Sequence, residues 1–92
     1  MSVVKTSIAT LLLAWVLWTQ INDSANESWH IEDAFENLQP CVEAADKEAQ
    51  KMFPKENRRK LNAGYMVVAH GEKKATIWKF LCLPAGTNPT GK

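Results

Sequence analysis

No stretch of this 92-residue chain reaches the roughly 18 consecutive apolar residues that a membrane-spanning helix needs; the longest candidate covers residues 8–18. Cysteine is scarce, with only Cys41 and Cys82, and so is histidine, with only His30 and His70. None of the four is paired at the roughly two- to five-residue spacing of structural zinc sites, so no metal centre is expected. A nucleophilic site would need Cys41 or Cys82 beside His30 or His70 with Asp33 to orient the ring, and nothing in the spacing brings them together. Glu32, Asp33 and Glu36 read as solvated carboxylates near a helix start rather than as a general acid and base. Residues 86–92 have the spacing G-x-x-x-x-G-K, but that motif cradles phosphate only at the start of a helix that follows a strand, with Ser or Thr next. No helical pattern occurs there. These absences leave no catalytic residues, no cofactor and no enzyme activity to expect.

What is present begins with a leader. Lys5 followed by the apolar residues 8–18 matches the cationic and apolar regions of a secretory signal. Cleavage is expected after Ala14, although Leu12, two positions earlier, is bulkier than such sites prefer. The chain divides accordingly into a leader at 1–14, a single domain at 15–84 and a mobile tail at 85–92. Two other readings stay open: an uncleaved leader that tethers the protein to a membrane, and a buried N-terminal segment of a soluble protein. The expected location is periplasmic or secreted, with membrane anchoring as the alternative.

A domain this small gains only a few kcal/mol from its core, so a covalent staple matters. Closing the loop between Cys41 and Cys82 would contribute about 4 kcal/mol on the chain-entropy model. The alternative is a reduced pair of buried thiols; the leader favours the bond.

Hydrophobic period separates the elements. Residues 14–21 alternate as Trp15, Leu17, Thr19 and Ile21 against Ala14, Val16, Trp18 and Gln20, a strand pattern rich in branched and aromatic residues. After a polar loop, Trp29, Ile31 and Phe35 alternate with His30, Glu32 and Ala34 in a second strand. The period then changes. Leu38, Cys41, Val42, Ala45, Ala49, Met52 and Phe53 recur at helical steps, with Asn37 as N-cap, Pro40 in the first turn and Pro54 as the stop. Residues 55–64 read as a charged loop, 65–70 as a third strand, 71–74 as a turn and 75–83 as a fourth strand. In that last strand Trp78, Phe80 and Cys82 point to one side, and Ile77, Lys79, Leu81 and Leu83 to the other. A helix laid on the first side brings Cys41 to Cys82.

The residues Ala14-Trp15-Val16-Leu17-Trp18, a second tryptophan segment ending at Ala34-Phe35, the helical Cys41 and the ending Cys82-Leu83-Pro84 with Pro89 and Gly91-Lys92 carry a resemblance. The chain resembles a group of small exported bacterial proteins with a leader, a "WVLW" strand, a "W…F…C" segment and a C-terminal "CLP" followed by a proline and glycine tail. That group has no assigned activity. The likeness implies export and the disulfide, and covers the two ends better than the middle. Ala85 and Asn88 stand where the group carries acidic residues, so no role for acidic tail groups transfers.

Charge is balanced overall, with 11 basic against 10 acidic residues and a formal net charge of +1, yet it is segregated. Residues 21–50 hold eight acidic groups against Lys47; residues 51–92 hold nine basic groups against Glu56 and Glu72. Either the two halves pack side by side, or Lys55, Arg58, Arg59 and Lys60 form a contact for an anionic surface: phospholipid head groups, a cell-wall polymer or an acidic protein. Nucleic acid is not expected, because this cluster has no interleaved aromatics. The four tryptophans, Trp15, Trp18, Trp29 and Trp78, either fill the core or leave a patch on a sheet face that one helix cannot cover. The expectation is an α+β domain in the order β-β-α-β-β, an antiparallel sheet covered on one face by the helix and closed by Cys41–Cys82. Its expected role is a non-enzymatic exported interaction module, with an unknown protein or an anionic envelope component as partner; the alternative is a membrane-tethered accessory or structural protein of the cell envelope.

Overall fold

The structure, a computed structural model, describes residues 13–23, 26–71 and 74–89. Most of the expected leader, residues 1–12, and the last part of the tail, 90–92, lie outside the described residues. In chain order the elements are β1 (Trp15–Asn22), β2 (Glu27–Phe35), α1 (Leu38–Met52), β3 (Arg58–Leu61), β4 (Gly64–His70) and β5 (Ala75–Pro84). The strands form one antiparallel sheet in the order β2-β1-β5-β4-β3. Because α1 follows one edge strand and precedes the other, it crosses the whole sheet and covers one face only.

The expected α+β fold is thus observed with one strand more. Residues 58–61, expected within a charged loop, fold back through the turn at 62–63 and pair with β4, Arg58 opposite Val67 and Leu61 opposite Gly64. An edge strand has only one neighbour, so its charged side chains reach water while its backbone joins the ladder. Gly64 follows that turn, where the chain presses against β5: a Cβ there would lie 1.9 Å from the Phe80 carbonyl oxygen. Cys82 N–H donates to the Ala63 carbonyl at 2.7 Å and locks the approach.

Partners across an antiparallel ladder share a face, so the register sorts every side chain. Trp15, Leu17, Thr19 and Ile21 of β1 meet Pro84, Cys82, Phe80 and Trp78 of β5 on the helix side. The strand β2 departs from simple alternation. Leu17 pairs with Asp33 but Trp18 with Ile31, so Glu32 is an extra residue and the register shifts there. Sequence alternation placed Trp29, Ile31 and Phe35 on one side; the bulge instead turns Phe35 to the helix side and leaves Trp29 and Ile31 on the other.

The helix obeys its stripe. Cys41, Ala45 and Ala49, at four-residue steps, are fully buried against Leu17, Val67, Phe80 and Cys82. Asn37 occupies the N-cap with extended backbone, φ −128° and ψ 154°, but its side chain makes no capping hydrogen bond. At the other end Phe53 N–H donates to the Ala49 carbonyl at 2.9 Å before Pro54 prevents continuation. Phe53 closes the core edge-on to Trp78, with ring centroids 5.0 Å apart. Cys41 and Cys82 form a disulfide across a Cα–Cα distance of 6.1 Å, tying the first turns of α1 to the end of β5. Among the described residues no helix is long and apolar enough to cross a membrane.

Candidate functional site

Of the four cations expected to act together, the three on β3 do not all share one face of the sheet. Strand alternation sends Arg58 and Lys60 to the helix side, opposite Val67 and Tyr65, and Arg59 to the uncovered side, opposite Met66. Arg58 Nε donates to Asp46 Oδ1 of α1 at 2.6 Å, so part of the segregated charge is satisfied internally. Lys60 lines a groove of about 670 Å³ between α1 and the β3–β4 hairpin, with Leu38, Val42, Glu43 and Tyr65. Lys55 lies in the turn after the helix, exposed. The acidic β2 and the basic β3 occupy opposite edges of the sheet, which puts the two charged segments as far apart as the strand order allows.

The histidines and sulfurs are likewise separated. His30 lies on β2 and His70 on β4, with β1 and β5 between them. Both sulfurs are consumed by the disulfide, so neither is a thiolate for attack or for metal ligation. His70, exposed, has its Nδ1 at 3.7 Å from Glu56 Oε2. Among the described residues no three of His, Cys, Asp and Glu cluster as a metal site would need.

What does converge is the uncovered face. Combining the pairings of all five strands gives cross-sheet rows. Nearest the start of β1 runs Ala34–Val16–Leu83. Next comes an unbroken apolar row, Ile31–Trp18–Leu81–Gly64–Leu61, spanning every strand. The third, Trp29–Gln20–Lys79–Met66–Arg59, mixes an aromatic ring, an amide and two cations. The fourth, Glu27–Asn22–Ile77–Val68, is half polar, and His70 opposite Ala75 lies beyond it. Polarity therefore rises along the strands.

Several contacts shape this face. Trp18 and Trp29 meet edge to face with centroids 6.1 Å apart. Gln20, nearly buried, donates through Nε2 to Glu27 Oε1. A shallow hollow of about 890 Å³ beside the β3–β4 hairpin is lined by Leu61, Met66 and Leu81 together with Arg59, Lys60 and Asn62. Ile31 is 64% exposed and Ile77 37%, on a face that no helix or second sheet covers among the described residues. The tryptophans divide evenly, Trp15 and Trp78 joining the core side and Trp18 and Trp29 the open side.

Of the expected contact residues, only Arg59 belongs to this face. The sequence pattern showed Ile77, Lys79, Leu81 and Leu83 turned away from the helix, but it had no signal for which strands stand beside them. Comparison with family models, curated proteins and solved structures found no match for the chain.

Proposed function

We propose that this chain is a non-enzymatic interaction module of an oxidising compartment, periplasmic or secreted, and that the uncovered sheet face is its working surface. The observation that carries this reading is the apolar row from Ile31 to Leu61, which crosses five strands without a polar side chain and has no second layer over it among the described residues. Contiguous apolar surface left without a covering layer marks an interaction site. The leader-like segment with Lys5 supports export, and the disulfide is compatible with it. Both sulfurs are bonded and two strands lie between the histidines, so neither a free thiolate nor a histidine pair is found among the described residues. Tethering by an uncleaved leader is a second reading, favoured by the exposed Leu13 and Ala14 at the apolar end of the face.

A photoreactive phenylalanine analogue placed at Ile31 tests the surface in living cells, with the same analogue at exposed Gln50 on the outer side of α1 as reference. Adducts are expected from position 31 and not from position 50. Equal yields from both, or none from position 31, would sink the assignment of the surface.

A further inference from the structure

We propose that copies of this chain join head to tail through the edges of their sheets, the outer edge of β2 in one copy pairing with the outer edge of β3 in the next. Each of these strands has a ladder neighbour on one side only, β1 or β4, so each turns a row of backbone N–H and C=O groups outward. His30, Ile31, Glu32 and Asp33 are exposed in the middle of β2, and Arg58, Arg59 and Lys60 along β3. The charges of the two edges are opposite. Residues 27–36 hold Glu27, Glu32, Asp33 and Glu36 with no lysine or arginine; residues 55–60 hold Lys55, Arg58, Arg59 and Lys60 against Glu56. Part of this charge is engaged within the molecule: Arg58 with Asp46, Glu56 near His70, Glu27 with Gln20. Glu43 and Asp46 border the groove that Lys60 lines, yet neither Arg59 nor Lys60 has an ion-pair partner among the described residues. Glu32, Asp33 and Glu36 have none either.

Charged side chains on an edge strand ordinarily oppose further pairing. Here they oppose it selectively. A two-fold dimer through β2 sets carboxylates against carboxylates, and one through β3 sets cations against cations, both destabilising across a ladder. Joining β2 to β3 brings opposite signs together. Direction agrees with charge: four antiparallel pairings in series lead from β2 to β3, so the two strands run the same way. Copies stacked in one orientation, with their helices on the same side, therefore meet in a parallel pair. Trp29 and Ile31 of β2 then share the uncovered side with Arg59 and Leu61 of β3, and His30 and Asp33 share the helix side with Arg58 and Lys60. The two-residue steps match. Setting Ile31, 64% exposed, beside Leu61 puts Trp29 beside Arg59, a cation against a ring, and Lys60 beside His30 with Asp33 next on that side. Such a contact is heterologous and leaves a free edge of each sign at the two ends, so it extends beyond a dimer. With four residues in β3 and a bulge at Glu32, few ladder hydrogen bonds form and the joint depends on its charges.

Sedimentation velocity of the disulfide-intact protein over a range of concentrations gives the test. At an ionic strength of about 0.01 M the weight-average mass is expected to rise with concentration past that of a dimer, and at about 1 M, where the Debye length falls to about 3 Å, to return to that of the monomer. Glu32→Lys with Asp33→Lys puts cations at the joint on β2, and Arg59→Glu with Lys60→Glu puts carboxylates at the joint on β3. Each reversed variant is expected to stay monomeric alone, and an equimolar mixture of the two to associate as the parent does. Mixing does not rescue a variant that has lost its fold, and circular dichroism of each variant checks that it has not. The single reversals Asp33→Lys and Lys60→Glu repeat the comparison with less charge moved, and Lys51→Glu on the exposed side of α1 leaves the mass profile of the parent unchanged. The proposal fails if the parent is monomeric at low ionic strength, if it stops at a dimer, if either reversed variant associates like the parent, or if the mixture stays monomeric. The reversed residues lie outside the apolar row from Ile31 to Leu61, so any of these failures leaves the reading of the uncovered face intact.

Discussion

Single residues in this fold are constrained by neighbours far away in sequence, and Gly64 shows it most sharply. Its φ of 156° and the 1.9 Å separation that a Cβ would have from the Phe80 carbonyl oxygen leave no room for a side chain. The obstacle is backbone of the adjacent strand, already committed to the ladder, so it cannot swing aside as a side chain could. Gly64→Ala is expected to destabilise the protein by about 3 kcal/mol, a large part of the stability of so small a domain. Urea unfolding followed by far-ultraviolet circular dichroism checks this; a midpoint unchanged from the parent would mean that β4 does not approach β5 as described. Nothing around Gly64 in the sequence announces the constraint, because Asn62-Ala63-Gly64 reads as an ordinary turn. Cys41 and Cys82 were legible for the opposite reason: each lies on the inward side of its own periodic element, so local patterns sufficed to pair them.

At the scale of elements, what was legible depended on whether a local period existed. The helix had one, and the small residues on its stripe explain how closely it sits. Cys41, Ala45 and Ala49 are each 0% exposed, and two of the three end at Cβ, which lets α1 lie directly on Phe80 and Val67. Ala45→Leu forces extra methylenes into that contact and is expected to cost about 2 kcal/mol, while Gln50→Leu on the exposed side changes stability by less than about 0.5 kcal/mol. Equal urea midpoints for the two variants would contradict the packing of the helix. Strand β3 had no period to read: Arg58-Arg59-Lys60 shows no apolar alternation, and its pairing comes from β4 and the turn, not from its own side chains. The bulge at Glu32 was hidden differently. Trp29, Ile31 and Phe35 fit one uninterrupted alternation, and only pairing with β1 shows that the series changes face between Ile31 and Phe35. The uncovered face was illegible as a site for the same reason, since its apolar row joins residues from five strands whose order no local pattern states.

For the molecule as a whole, one covalent bond does much of what a larger core would do. The helix shields a single face, and among the described residues the buried apolar side chains are few: Leu17, Cys41, Ala45, Ala49, Val67, Phe80 and Cys82. The Cys41–Cys82 bond closes a loop with a sequence separation of 41 that contains the rest of α1, β3, β4 and nearly all of β5. Strand β1 lies outside the loop and is held between β5 and β2 by its ladders. Opening the loop returns chain entropy to the unfolded state, about 4 kcal/mol at this length, which for a domain of this size corresponds to a fall in Tm of about 20 °C. Cys41→Ala with Cys82→Ala, or the parent kept in excess reductant, is therefore expected to lose most of its thermal margin. Calorimetry measures the shift, and near-ultraviolet circular dichroism of Trp78, packed against Phe53 and Phe80, reports whether the core has gone with it. A Tm within about 3 °C of the parent, less than about 1 kcal/mol, would show that the ladders alone hold the sheet and helix together. The expected loss has a consequence for where the chain can work: with thiols reduced it would spend a measurable fraction of its time unfolded, exposing the apolar rows of both faces at once.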